Sequence, residues 1–195
     1  MTGAISPVRS SVTVSALQAA TTAKIDKRLS RLSDLEKSLQ ANTSMSSSER
    51  QKLEDGLEQQ VKGLTALRDK VGTETTKAGL WADAHSMVVD YRVFKVDTPQ
   101  VRLSERVGNE QQRLNGLENR LGTATSGSGA AAPAAGVSTA TTALAAAKAD
   151  LDGDSDALAA LTPQDYKDSM FAKFVAAVKD ANTQLGSAQS VLAKL

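Results

Sequence analysis

Cysteine is absent from this sequence of 195 residues, which excludes a disulfide framework, a zinc site built from thiolates and a catalytic thiol. Aromatic residues are also scarce, since the chain has one Trp, two Tyr and three Phe, and only four prolines interrupt it. Hydrophobic residues nevertheless make up 41% of the chain. The sequence therefore predicts a core of Leu, Val and Ala, in a single domain or a pair of small ones.

Neither sign of charge predominates, because the chain has 23 basic and 22 acidic groups and a formal net charge of +1. Nucleic-acid-binding proteins normally have a strongly basic face, so we expect no nucleic-acid partner. No hydrophobic run approaches the roughly 20 residues that a membrane helix needs, so we expect no membrane span. Residues 1–18 also lack the apolar segment of a signal peptide. If the protein is exported, we expect this sequence to be its mature form or a trimmed one.

Hydrophobic residues recur every three or four positions along most of the chain, which is typical of amphipathic helices. We predict helices over residues 16–40, 49–71 and 99–121, separated by short breaks. Ser46 and Glu49 have the spacing of a capping box, which marks the start of the second helix. Short connections favour antiparallel neighbours. The predicted fold class is therefore all-α, an antiparallel long-helix bundle or coiled coil.

The segment before Pro99 is ambiguous. Val89, Tyr91 and Val93 alternate as in a strand, whereas the wider stripe from Leu80 onward fits a helix. We predict a helix that continues to Val96, because the sequence offers no second strand to pair with this segment.

Composition divides the chain into four parts. We predict a flexible N-terminus over residues 1–14, the antiparallel long-helix region over 15–121, and a C-terminal helical pair over 137–195. Residues 122–136 are rich in Gly, Ala and Ser, which cannot bury enough surface to offset the entropy of ordering, and we predict a flexible linker there. The last helix is expected to begin at Pro163, since Pro favours the first helical position.

That last helix has the most regular heptads in the chain. Its two seams consist of hydrophobic residues: Phe171, Val178, Leu185 and Leu192 in one, and Phe174, Ala181, Ala188 and Leu195 in the other. A seam of this kind requires a partner helix, provided either by the same chain or by a second copy.

Gly56 and Gly63 lie one heptad apart within the second predicted helix, where each destabilises the helix by up to about 1 kcal/mol relative to Ala. One interpretation is that both are surface glycines that the helix tolerates. The other is a close helix crossing at which a side chain would not fit.

Catalytic groups are few. His85 is the single histidine, and without a cysteine to pair with it we interpret it as a packed or half-exposed helix residue rather than a base. The sequence has no phosphate-binding glycine loop, no HExxH motif and no repeated ExxH motif. We therefore predict that the protein is not an enzyme and has no cofactor.

An acidic run gives a weak calcium candidate: Asp150, Asp152, Asp154 and Asp156 alternate like the first half of an EF-hand loop. The match fails at the positions where an EF-hand is strictest. Ser155 occupies the glycine position, and Leu161 stands where the bidentate Glu belongs. The competing interpretation is a solvated acidic kink between two helical pieces.

Aromatic and polar groups gather before Pro99. Trp81, Tyr91, Arg92 and Phe94 are candidates for contact with a partner or a ligand, although structural packing would also account for them.

Four segments carry a resemblance to a known group of proteins: KIDKRLSRLSDLEKSL at 24–39, VKGLTALRDKVGTET at 61–75, WADAHSMVVDYRVFKVDTPQVRL at 81–103 and ALTPQDY at 160–166. In these segments the chain resembles a largely uncharacterised family of exported, helical or coiled-coil proteins of actinobacteria and candidate-phyla bacteria. The resemblance implies a secreted or cell-surface helical protein and supplies no catalytic residue or cofactor.

Together these observations predict a non-enzymatic structural or protein-interaction protein, secreted or at the cell surface, whose partner is a protein and most simply a second copy of itself. The alternative is a small-molecule or ion-binding helical bundle with a pocket near Trp81, Tyr91 and Phe94.

Overall fold

The computed structural model describes residues 12–126 and 133–195, and every regular element within those ranges is helical. The helices are α1 (Val14–Ala41), α2 (Ser47–Thr73), α3 (Lys77–Val89), α4 (Asp97–Ser126), α5 (Ala134–Leu151), α6 (Asp154–Ala159) and α7 (Ala172–Leu192), with a single 3-10 turn at Pro163–Asp165. The prediction of an all-α helical bundle is confirmed.

Local sequence signals explain how the first two helices begin and meet. The Thr13 hydroxyl accepts a hydrogen bond from the backbone N–H of Ala16, and the predicted capping box of Ser46 and Glu49 is formed in both directions. Gln18, near the start of α1, donates to the carbonyl of Val71 near the end of α2 at 3.2 Å. The two long helices are therefore antiparallel.

The hydrophobic residues form two cores that share α4. The N-terminal core is built mainly by α1, α2 and α3. The C-terminal core is built by α5, α7, α4 from Leu103 onward and Leu158 of α6. Val101 belongs to the first core, whereas Leu114 and Leu117 belong to the second. Because α4 is continuous across both, it fixes the two groups of helices to each other.

The heptad seams of α7 find their partner inside the chain. Buried seam residues of α7 pack against α5 and α4: Phe174, Val178, Ala181, Leu185, Ala188 and Leu192. This seam therefore leaves little hydrophobic surface for a second copy to cover.

The helix predicted to reach Val96 ends at Val89, so that part of the prediction was wrong. The chain instead makes a compact turn, in which the N–H of Val96 donates to the carbonyl of Arg92 at 2.7 Å and that of Thr98 to the carbonyl of Val93 at 2.8 Å. Val93 and Val96 are fully buried in this turn. Burial of these β-branched side chains, which disfavour helix, accounts for the break.

The last helix also begins later than predicted, at Ala172 rather than at Pro163. The Asp165 carboxylate accepts hydrogen bonds from both the N–H and the hydroxyl of Thr162. This reciprocal cap closes a single 3-10 turn, which does not continue into α7.

Both ends of the linker predicted at residues 122–136 are helical, because α4 continues to Ser126 and α5 begins at Ala134. The rest of that linker, residues 127–132, and residues 1–11 of the predicted flexible N-terminus lie outside the described residues. Gly153, with a φ of 72°, separates α5 from α6. That left-handed conformation is easily adopted only by glycine.

Candidate functional site

An exposed groove lies where α3 and the following turn cross α1. We call it the aromatic groove and define it by the residues that line it: Lys24, Lys27, Arg28, Trp81, Ala84, His85, Met87, Val88 and Phe94. Its volume is about 680 Å³. Large apolar side chains face solvent here, since Trp81 is 63% exposed, Val88 52% and Phe94 42%. Contiguous exposed apolar residues of this kind mark interaction surfaces.

One wall of the aromatic groove is basic. The guanidinium carbon of Arg28 lies 5.5 Å from the centroid of the Phe94 ring, and the Lys27 ammonium lies 6.0 Å from it. Both distances fall within the range of a cation–π interaction. Burial lowers the pKa of Arg28 from its ordinary value. The groove therefore presents positive charge beside exposed aromatic surface.

Of the four residues predicted to contact a partner or ligand, the structure brings only Trp81 and Phe94 into this groove. Tyr91 lies against α2, with its ring at Gly63. The Arg92 guanidinium stacks on the ring of Tyr166, 4.5 Å from the centroid. Tyr91 therefore packs the turn after α3 against α2, and Arg92 packs it against the segment that follows the 3-10 turn. A pocket shared by Trp81, Tyr91 and Phe94 is not formed.

The acidic run occupies the end of α5, the Gly153 turn and the start of α6. Asp156 accepts a salt bridge from Lys52 of α2 at 2.6 Å. Asp154 is partly buried, and desolvation raises the pKa of its carboxyl. Within residues 12–126 and 133–195, no three acidic or histidine side chains come together as a metal site.

A second candidate site was missed by sequence reasoning. A cavity of about 170 Å³ lies between α2, the start of α4 and the segment 159–164. Asp97 lines it and is only 4% exposed. Its Oδ2 has no hydrogen-bond partner among the described residues, and burial raises the pKa of its carboxyl to about 6. We call this the Asp97 cavity.

Little in the amino-acid sequence indicates this cavity. Asp97 precedes Thr98 and Pro99, a pattern that predicts only the end of one helix and the start of the next. Burial of its carboxyl depends on the 159–164 segment, which is distant in sequence. Gln100 fixes that segment, because its Nε2 donates to the carbonyls of Leu158 at 2.6 Å and Leu161 at 3.0 Å.

Comparisons with protein-family models, with curated proteins and with solved structures give no match for this chain. In the part of the chain that the structure describes, no helix combines the length and the apolar composition that crossing a bilayer requires.

Proposed function

We propose that the protein is a non-enzymatic structural and interaction protein that associates with further copies of itself through the aromatic groove. One observation carries the proposal: Trp81, Val88 and Phe94 are exposed side by side, although both hydrophobic cores are filled from within the chain. An exposed cluster that contributes to neither core is what a docking surface requires.

Charge complementarity favours a second copy of this chain as the occupant. The groove carries Lys24, Lys27 and Arg28, and the end of α5 and the turn after it carry Asp150 and Asp152. Opposite charges on two surfaces steer association and fix its orientation. Because the two surfaces are different parts of one chain, contact between copies is head-to-tail and extends into a ring or a filament.

A location outside the cell or on its surface is part of the same proposal. Its support is the resemblance to exported helical proteins, because the absence of cysteine suits a reducing and an oxidising compartment equally.

The single tryptophan makes the proposal directly testable, because Trp81 lies in the groove itself. Sedimentation velocity and tryptophan emission are measured together from micromolar to millimolar concentration. We expect the mean mass to rise, with a blue shift of Trp81 emission as the groove becomes buried. A constant monomer mass with unchanged emission would contradict the proposal.

Charge-reversal variants test the orientation of the contact. Lys27→Glu and Asp152→Lys should each prevent association alone. An equimolar mixture should restore it, because each groove then meets a turn of opposite charge and the two variants alternate along the ring or filament. Lys179→Glu is the matched control, since Lys179 is an exposed lysine on α7 outside the groove. Association of either variant alone at the wild-type level would refute this orientation.

A small-molecule or ion-binding bundle is the second candidate function. The groove near Trp81 and Phe94 is large enough for a ligand, but Tyr91 does not contribute to it. A monomer whose Trp81 emission responds to a soluble ligand would favour this function.

A further inference from the structure

The Asp97 cavity is a site separate from the aromatic groove. Its apolar walls come from Leu53 and Leu57 of α2, Val101 of α4 and Leu161 of the segment after α6. Its volume of about 170 Å³ exceeds the ~30 Å³ that one water occupies in the liquid. The cavity therefore has room for a small organic molecule with several heavy atoms.

Two acceptor oxygens at this cavity have no hydrogen-bond donor among the described residues. Oδ2 of Asp97 and Oε1 of Gln60 are both buried, and neither has a hydrogen-bond partner within the described ranges of the chain. Buried polar atoms are nearly always paired. A buried carboxylate without a counter-charge is especially unfavourable. Both groups would be satisfied by a ligand that donates hydrogen bonds and carries positive charge.

Lys52 and two charged groups that contact lining residues or their neighbours are engaged in other interactions. Lys52 lines the cavity, but its ammonium lies 2.6 Å from Asp156. Arg31 of α1 donates to the Thr98 hydroxyl at 3.2 Å. Asp165 accepts from Thr162 on the opposite wall. Among the residues that the structure describes, none therefore compensates the charge of the Asp97 carboxyl.

We propose that the Asp97 cavity binds a short-chain primary amine in its ammonium form, with Asp97 and Gln60 as acceptors and Leu53, Leu57 and Val101 as the surface for the alkyl chain. A divalent metal ion fits less well, because one carboxylate and one amide oxygen supply too few ligands for calcium or magnesium. An ammonium group, by contrast, needs only a few acceptors close to one negative charge.

Propylammonium is a suitable probe, and 1-propanol is its neutral isostere. Titrations at constant ionic strength are followed by backbone amide shifts in two-dimensional NMR. We expect saturable shifts at residues 97–101 and 159–164, with a dissociation constant on the order of 1 mM for so small a ligand. 1-Propanol should give no saturable shift. The affinity for propylammonium should fall about tenfold between pH 7 and pH 5, as Asp97 becomes protonated.

Variants separate this site from adventitious binding to surface carboxylates. Asp97→Asn should weaken binding at least about tenfold, whereas Asp69→Asn, at an exposed carboxylate of α2, should leave it unchanged.

Gly56→Leu is a second test, because Gly56 lines the cavity and a Cβ there meets no atom within 4 Å. The added side chain should exclude propylammonium while Asp97 is intact. Binding that persists in both Asp97→Asn and Gly56→Leu, or that produces no shifts at the cavity, would overturn the proposal.

Discussion

The ring of Tyr91 lies directly on the α2 backbone at Gly63. A Cβ built at Gly63 would be 2.6 Å from the Tyr91 hydroxyl oxygen and closer still to Cε1. Gly56, one heptad earlier on the same helix, has no atom within 4 Å of its Cβ position. The two glycines occupy equivalent positions in the sequence but have different roles. Gly63 leaves room for the Tyr91 ring, whereas Gly56 lines the Asp97 cavity.

This difference predicts opposite effects of one substitution. Gly56→Ala should raise the free energy of unfolding by about 0.5–1 kcal/mol, because Ala is the better helix former and the position is open. Gly63→Ala should lower it by up to about 2 kcal/mol, because the ~1–3 kcal/mol that overpacking against Tyr91 costs is offset in part by the ~1 kcal/mol helix preference of Ala. Urea denaturation of the two variants gives both values.

A double variant tests the cause. In a Tyr91→Leu background the ring is gone, so adding Gly63→Ala should produce much less destabilisation than in the wild type. An unchanged effect of Gly63→Ala in that background would mean that Tyr91 is not the obstacle.

The helices were predictable because their signals are local. The stripe from Ile25 to Leu39 and the capping box at Ser46 depend on residues within a turn or two of each other, and both form as expected. The turn after Val89 was missed because its stability comes from burying Val93 and Val96 under other elements. Periodicity cannot distinguish such a buried turn from a helical stripe.

The candidate sites were less predictable for the same reason. Trp81 and Phe94 were identified as contact residues from type and clustering, and the structure brings them into one groove. Tyr91 differs because its position is decided by a glycine on another helix. Asp97 is a polar residue at a helix start in sequence, and only tertiary packing turns it into a buried carboxyl.

The buried carboxyl of Asp97 predicts a pH dependence of stability. Its pKa is raised by desolvation from 3.8 to about 6 in the folded protein, so the folded state binds this proton more tightly than the unfolded state. The stabilisation from protonation is complete below about pH 4 and is lost as pH rises through 6. Between pH 4 and pH 7 the wild type should lose about 2 kcal/mol relative to Asp97→Asn, which has no charge to bury.

Urea denaturation of the wild type and Asp97→Asn at pH 4, 5, 6 and 7 measures this difference in free energy of unfolding. The contributions of the other carboxylates are the same in both proteins and cancel. Asp69→Asn serves as the control, since an exposed carboxylate suffers little desolvation. If the difference in free energy of unfolding between the wild type and Asp97→Asn stays constant over this pH range, Asp97 is not desolvated.

Lys70 and Asp83 form a salt bridge between α2 and α3 that predicts an asymmetric pair of variants. The Lys70 ammonium lies 2.5 Å from Oδ1 of Asp83, whose side chain is 1% exposed. The hydrogen bond to Asp83 raises the pKa of Lys70. Lys70→Met should destabilise the protein, because it leaves a buried carboxylate without a partner. Lys70→Met combined with Asp83→Leu should recover much of that loss.

Thermal unfolding compares these variants with Lys62→Met, which removes an exposed salt bridge to Glu58 and should change stability little. If the double variant is less stable than Lys70→Met alone, the carboxylate is not the source of the destabilisation.

Gln100 ties the 158–161 segment to α4, and its removal should loosen that segment before the rest of the fold. Its amide is buried and donates to the carbonyls of Leu158 and Leu161. Gln100→Leu leaves both carbonyls without this donor, which should lower the free energy of unfolding by about 1–3 kcal/mol.

Gln112→Leu is the control, at an exposed position of the same helix, and should change the free energy of unfolding by less than about 0.5 kcal/mol. Hydrogen exchange should accelerate at α6 and at residues 160–165 in Gln100→Leu only. Uniform acceleration across α1 and α2 as well would mean that Gln100 supports the whole fold rather than the wall of the Asp97 cavity.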